Sequence, residues 1–218
     1  MDMTGFVVAI DGPGGSGKTS VARAVAMALE LPHLDTGAYY RAATVAVLRA
    51  GVEPTDEPSV VSVVARASLG YDRGRMTLDG DDVSAEIRAG TTTSSVSAVS
   101  AIPAVRSHLV DAQRQWVGDR GGSAVVEGRD IGTVVFPHAN LKLFLTARPE
   151  VRAARRAAEV GIDAVEAVES DLLRRDRLDT GRESSPLKKA DDAVEIDTSE
   201  LGIDEVIARI LVEVEARR

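Results

Sequence analysis

Two stretches of this chain carry residue types that do chemistry, and they lie far apart in the sequence. The first, Gly12-Pro13-Gly14-Gly15-Ser16-Gly17-Lys18-Thr19-Ser20, fits the pattern G-x-x-x-x-G-K-[ST] at every specified position. Its chemistry is the cradling of phosphates. Glycines let successive backbone N–H groups turn inward around the β- and γ-phosphates of a nucleoside triphosphate, and the following helix N-terminus adds a favourable dipole. Lys18 would bridge the phosphates, and the Thr19 hydroxyl would ligate the Mg²⁺ that accompanies ATP. The second stretch, Val125 to Pro137, begins as a buried strand would and then places Glu127, Arg129 and Asp130 close together. A surface loop could carry these charges without penalty, so their position alone does not make them a site.

The elements that must position these residues can be read from periodicity. Phe6-Val7-Val8-Ala9-Ile10 is a short apolar run that suits a central parallel strand feeding the glycine loop. Beyond the loop, Val21, Val25 and Leu29 recur every four residues, which predicts a helix that Pro32 stops. Thr36 to Ala50 reads as a second helix, with Asp35 or Thr36 as its cap and Gly51 beyond its end. Residues 69–83 alternate around Asp-Arg-Gly and Asp-Gly-Asp, predicting a small antiparallel hairpin inserted between helical stretches. A small-residue stretch, Thr91 to Ser100, precedes Pro103 and a helix expected to reach about Val117. Further strands are expected at 123–127, 141–146 and 193–197, with an Arg/Ala/Glu-rich helical region from 149 to about 178. Ile203, Val206, Ile207, Ile210, Leu211 and Val214 have the spacing of an amphipathic helix. Strands alternating with helices imply a doubly wound α/β fold on a parallel sheet.

Bulk properties narrow the partners. The chain of 218 residues is 44 % hydrophobic, enough for one well-packed α/β domain with small insertions. A net charge of −8 with no strongly basic stretch argues against nucleic acid. With no cysteine there is no disulfide framework and no thiolate ligand or nucleophile. No apolar run is long enough to span a bilayer, so no membrane partner and a cytoplasmic location are expected. Among 26 basic residues only Lys18, Lys142, Lys188 and Lys189 are lysine, leaving 22 arginines. A single arginine therefore says little; arginines placed by a pattern count. His33, His108 and His138 lack ligand spacing and are given no metal role. Trp116, Tyr39 and Tyr40 are expected to pack in the core, with Tyr40 near the acceptor as an outside alternative.

A phosphate loop serves switches, motors, assembly ATPases and kinases alike, so the loop does not choose among them. A GTPase would add N-K-x-D, and the one asparagine, Asn140, is followed by Leu-Lys. The choice comes from four further stretches: Asp35-Thr-Gly-Ala-Tyr-Tyr-Arg41; Gly128-Arg-Asp-Ile-Gly-Thr-Val-Val-Phe-Pro137; Arg175-Asp176 with Asp179 and Arg182; and Pro186-Leu187. Together with the loop they resemble the bacterial cytidylate kinases, P-loop nucleoside monophosphate kinases, in order and spacing over nearly the whole chain. The long insertion after the second helix also resembles the bacterial form.

The resemblance implies a phosphotransferase that converts ATP and CMP or dCMP into ADP and CDP or dCDP with Mg²⁺, working as a monomer. It implies an ATP-binding core of residues 1–35, 104–148 and 183–218, a monophosphate-binding insertion at 36–103 holding the hairpin, and a short helical lid at 149–182. Arg129, Arg41 and the Thr36 hydroxyl would hold the acceptor phosphate, with Arg182 reaching the phosphates from the lid. Arg152, Arg155 or Arg156 are further lid candidates, although a solvated helix face explains them equally well. A monophosphate whose second pKa is near ~6 is mostly dianionic at neutral pH, so positioning and charge neutralisation matter more than a general base. Asp130 would read the base, since a carboxylate accepts well from the cytosine N4 amino group and meets a carbonyl in uracil. Ser97 and Arg106 align with further cytosine contacts, and Arg175 with Asp179 matches the pair used on the ribose. At i, i+4 those two also suit a plain helix ion pair in its weaker orientation. Two departures are visible: Glu127 stands where a common form has Asp, and Thr36 replaces a frequent serine. A UMP or small-metabolite kinase of the same fold, or a nucleotide switch without catalysis, are the rival readings.

Overall fold

The computed structural model describes residues 5–161 and 163–218. The chain divides into two compact units, Met1–His33 with Val117–Arg218, and Leu34–Trp116. The first unit carries a five-stranded sheet in the order β2-β6-β1-β7-β8, with β1 Val7–Asp11, β2 His33–Asp35, β6 Ala124–Gly128, β7 Leu141–Thr146 and β8 Val194–Asp197. The division between the units falls inside the edge strand β2. The pairings of β1 with β6 and β7, and of β7 with β8, are parallel. Apolar runs rather than alternation mark these strands because helices cover the faces. Val8, Ile10, Val125, Leu143 and Leu145 share one buried cluster with Val21 and Val25 of α1 (Lys18–Ala28) and Ile210 and Val214 of α8 (Ile203–Glu215). The expected strands all form, within one residue of the expected ends.

Three features differ from the sequence reading, the first being the three-residue edge strand β2, which no apolar run of strand length announces. The helical region from 149 is two helices, α6 (Pro149–Val160) and α7 (Val165–Thr180), because Gly161 ends the first in the left-handed conformation that glycine tolerates. After β6 the chain makes a π-helical turn, Ile131–Val135, which periodicity did not signal.

The second unit holds α2 (Thr36–Arg49), α3 (Glu57–Val64), α4 (Gly90–Ala101), α5 (Pro103–Gly118) and an antiparallel sheet of β3 (Leu69–Asp72), β4 (Arg75–Leu78) and β5 (Asp81–Asp82). The expected hairpin is β3–β4, extended by the two residues of β5. Asp35 caps α2, its carboxylate accepting from Ala38 N at 3.2 Å. The unit reaches Trp116, beyond the insertion expected to end at 103, because α5 is bound to the hairpin. The Trp116 indole N–H donates to Tyr71 O at 2.7 Å, and its ring meets Tyr71 edge-on at 6.0 Å. No helix among the described residues is long and apolar enough to cross a membrane.

One glycine is set by packing as much as by conformation. Gly12 has φ +149, and a Cβ there would lie 2.0 Å from Leu145 O. Gly12→Ala is expected to destabilise the protein by more than ~3 kcal/mol, since main chain cannot yield as a side-chain tip can. Gly90→Ala, where nothing lies within 4 Å, serves as the control and should stay within ~0.5 kcal/mol. Urea unfolding of both variants checks this.

Candidate active site

The phosphate loop leaves β1 at Asp11 and enters α1 through Gly17, which has φ +86. Lys18 is buried with its Nζ donating to Pro13 O at 2.7 Å and lying 3.5 Å from Ser16 Oγ, so the ammonium lies inside the loop it serves. Two braces hold the loop from outside. Arg152 donates from Nη1 to Gly14 O at 3.1 Å, from Nε to Ala147 O at 3.1 Å, and pairs with Asp176 at 2.5 Å. The Thr198 hydroxyl lies 3.3 Å from Ser16 O and 3.1 Å from Thr146 O, and Arg155 is bound to Thr198 through its hydroxyl and carbonyl. Of the three lid candidates, Arg152 and Arg155 therefore stand beside the loop as supports, while Arg156 pairs with Glu159 at 2.7 Å on its own helix. An open depression beside the loop is lined by Gly15, Ser20, Val21, Arg156 and Ile203, among others.

Thr19 introduces two residues whose connection the sequence did not reveal. Its hydroxyl donates to Glu127 Oε2 at 2.8 Å, and Glu127 Oε1 lies 3.0 Å from His33 Nε2. Glu127 is 3 % exposed. Hydroxyl and carboxylate oxygens are the donor set that a hard divalent cation takes, so these residues fit the metal ion that kinase chemistry generally uses. His33 fixes the carboxylate from behind. Only the crossover that lays β2 beside β6 brings it there, and no local spacing signals that.

Arg129 leaves the end of β6. A Cβ on Gly14 would lie 3.6 Å from its Nη2, so its guanidinium stands against the phosphate loop. Its Nε donates to Asp179 Oδ2 at 3.0 Å, and Arg182 hydrogen-bonds the other oxygen of the same carboxylate. Asp179 thus takes its bonds from Arg129 and Arg182, and the i, i+4 pair with Arg175 does not form. Burial raises the Asp179 pKa, but Arg129, Arg182 and Arg175 outweigh it and hold the carboxyl below its ordinary value. Burial, then repulsion from Arg129, lowers the Arg175 pKa. Three guanidinium groups around one carboxylate leave an excess of positive charge beside the loop, an arrangement suited to a second anion.

Asp130 is buried and opens the π-helical turn. The turn is held by Asp11, whose carboxylate accepts from Ile131 N and Gly132 N, each at 2.8 Å. Burial dominates the Asp11 pKa; the two N–H bonds offset part of it, Asp130 adds repulsion, and the result is about 6.

In the second unit, Thr36 is the first residue of α2 and buried. Arg41 folds back over the helix start, donating from Nη2 to Asp35 Oδ2 at 2.7 Å. Gly37 makes room for it, since a Cβ there would lie 2.9 Å from Arg41 Nη1. Arg106 is buried, with its guanidinium 5.0 Å over the Tyr40 ring and Nη1 donating to Ser100 O at 3.1 Å. Ser97, half-buried on α4, accepts at its carbonyl from the Ser100 hydroxyl at 3.3 Å. Each unit thus gathers its own share of the expected residues: the loop, Arg129, Asp130, Arg175, Asp179 and Arg182 in the first, and Thr36, Arg41, Ser97 and Arg106 in the second.

Asp179→Asn should destabilise the protein at pH 7 by about 2–4 kcal/mol, because it leaves crowded guanidinium groups without their anion. A carboxylate with a depressed pKa contributes stability above its unfolded value of 3.8 and loses it as pH falls through the folded value. The gap between wild type and variant should therefore narrow below pH 3.8, as urea unfolding at pH 7 and pH 3 would measure.

Comparison with known proteins accords with this geometry. The family model described as cytidylate kinase matches residues 8–216. A cytidylate kinase of Mycobacterium leprae (strain Br4923) is 52 % identical, with 96 % of this chain and 95 % of that protein covered. One from Rhodococcus jostii (strain RHA1) is 51 % identical over 100 % of this chain and 98 % of that protein. The crystal structure of a gluconokinase from Sinorhizobium meliloti 1021 superposes with a TM-score of 0.52 at 14 % identity, covering 98 % and 93 % of the two chains, a likeness of fold alone. On the family match along nearly its whole length, and on relatives half identical to it from end to end, the chain belongs to the cytidylate kinase family.

Proposed function

We propose that the protein transfers the γ-phosphoryl group of ATP to CMP and dCMP, giving ADP with CDP or dCDP. The observation that carries this reading is Arg129, an arginine bound to Asp179 and standing against the phosphate loop, in a cluster with Arg182 and Arg175 that holds more positive charge than the one carboxylate balances. Gly12 to Ser20 wrap the ATP phosphates, and Lys18 changes partner from the Pro13 carbonyl to phosphate oxygens. Arg129, Arg182 and Arg41 neutralise equatorial charge as the phosphoryl group passes in line, with Thr36 donating to the acceptor phosphate. Asp130 accepts from the cytosine N4 amino group, Ser97 and Arg106 meet the rest of the base, and Arg175 and Asp179 meet the ribose. Thr19, beside Glu127, would hold Mg²⁺, which would supply screening of the phosphate charge. Residues 36–103 act as the monophosphate-binding part and 149–182 as a lid whose closure excludes water. The protein works as a cytoplasmic monomer without nucleic-acid or membrane partners.

Coupled ADP release with MgATP against CMP, dCMP, UMP, AMP and no acceptor tests the reading. Fast turnover is expected with CMP and dCMP and slow turnover with UMP; equal rates with UMP would discard the role of Asp130 and keep the kinase. Lys18→Ala and Arg129→Ala should each lower kcat by at least ~10³-fold with the thermal transition intact. Normal turnover in either would remove its assigned part.

A further inference from the structure

One buried carboxylate at the loop has no part in that chemistry. Asp11 is the last residue of β1, paired in register with Gly128 of β6 and Phe144 of β7, and it is 4 % exposed. Both its oxygens are committed to backbone, one to Ile131 N and one to Gly132 N. Those are the first two N–H groups of the π-helical turn, the positions that a helix start leaves without partners inside the helix. Asp11 therefore caps the turn from a different strand. A buried ionised group is costly to keep, even with Lys18 nearby, and an apolar residue would relieve that cost only by orphaning two N–H groups.

What the turn carries gives the cap its purpose. Asp130 is the residue before the capped amides, and its own carbonyl accepts from Val134 N at 2.8 Å and Val135 N at 3.1 Å. The peptide of Asp130 is thus gripped on both sides, at its carbonyl by the turn and at the following amides by Asp11. Arg129, one residue earlier, has separate support for its side chain from Asp179. Loss of the Asp11 grip would rotate Asp130 and leave the phosphate end in place.

We propose that Asp11 is a positioning residue for acceptor-base selection, fixing the turn at Asp130–Gly132 so that the Asp130 carboxylate keeps the orientation it uses on the base. The inference rests on the reading that Asp130 meets the cytosine. Asp11→Asn keeps size and one acceptor and loses the second. It is expected to raise KM for CMP about 5- to 20-fold, hold kcat within about 3-fold and KM for ATP within about 2-fold, and cut the CMP-over-UMP ratio of kcat/KM about 10-fold. A purely structural cap would lower all activities alike and leave that ratio untouched. Asp130→Asn is measured alongside. If it relaxes the ratio and Asp11→Asn does not, the positioning role is overturned while the reading of Asp130 stands. An unchanged ratio in Asp130→Asn overturns both. Hydrogen exchange at Ile131 and Gly132 in the wild type decides the matter should Asp11→Asn fail to fold. Strong protection of both amides is expected, and exchange as fast as at exposed loop amides would overturn the proposal.

Discussion

A loop rich in glycine has few side chains with which to hold itself, and every part of this site depends on that loop keeping its amides turned inward. The molecule answers by holding the loop through its carbonyls, the groups that face away from a phosphate. Pro13 O takes Lys18, Gly14 O takes Arg152, and Ser16 O takes Thr198. The two outer braces are anchored elsewhere, Arg152 to Ala147 O and Asp176, and Thr198 to Thr146 O and Arg155. Preorganisation of the loop is thus a property of α6, β7 and the turn after β8 as much as of the loop's own sequence.

The same economy governs charge. Arginines brought close together repel one another, and Asp179 lies between Arg129 and Arg182 to hold them together. On the other side of the loop, Glu127 joins Thr19 to His33. Both carboxylates sit where cationic or hydroxyl groups need fixed geometry.

The sequence was most legible where structure is local. The loop motif, the apolar strands, the Asp35 cap and the four-residue stripe of α1 need only neighbouring residues to be read. Helix α3 was passed over although Asp56-Glu57-Pro58 is a start signal, because only Val60 and Val64 anchor it. The side-chain partnerships were not legible. Asp179 looked like the partner of Arg175 one turn away and instead binds Arg129, which arrives from the end of β6. His33, set aside for want of ligand spacing, reaches Glu127 because of the strand order. Arg152 and Arg155 share a helix face with Arg156, and spacing could not show that two of the three are occupied by the loop and Thr198. Such pairings are created by crossover connections, which bring distant residues side by side without leaving a periodic trace.

The choice of guanidinium for the anion-facing groups has a further consequence. Arginine keeps its proton throughout the range in which a cell lives, whereas a histidine or a perturbed lysine would not. Under the proposed reading, Arg129 and Arg182 are the guanidinium groups that face the arriving anion. Under the same reading, the monophosphate, with its second ionisation near ~6, changes charge in the range in which Asp11, with a pKa of about 6, does so too. Acidification of the surroundings would be registered twice, by the nucleotide through the fraction that arrives as dianion, and by Asp11 behind the turn that Asp130 opens.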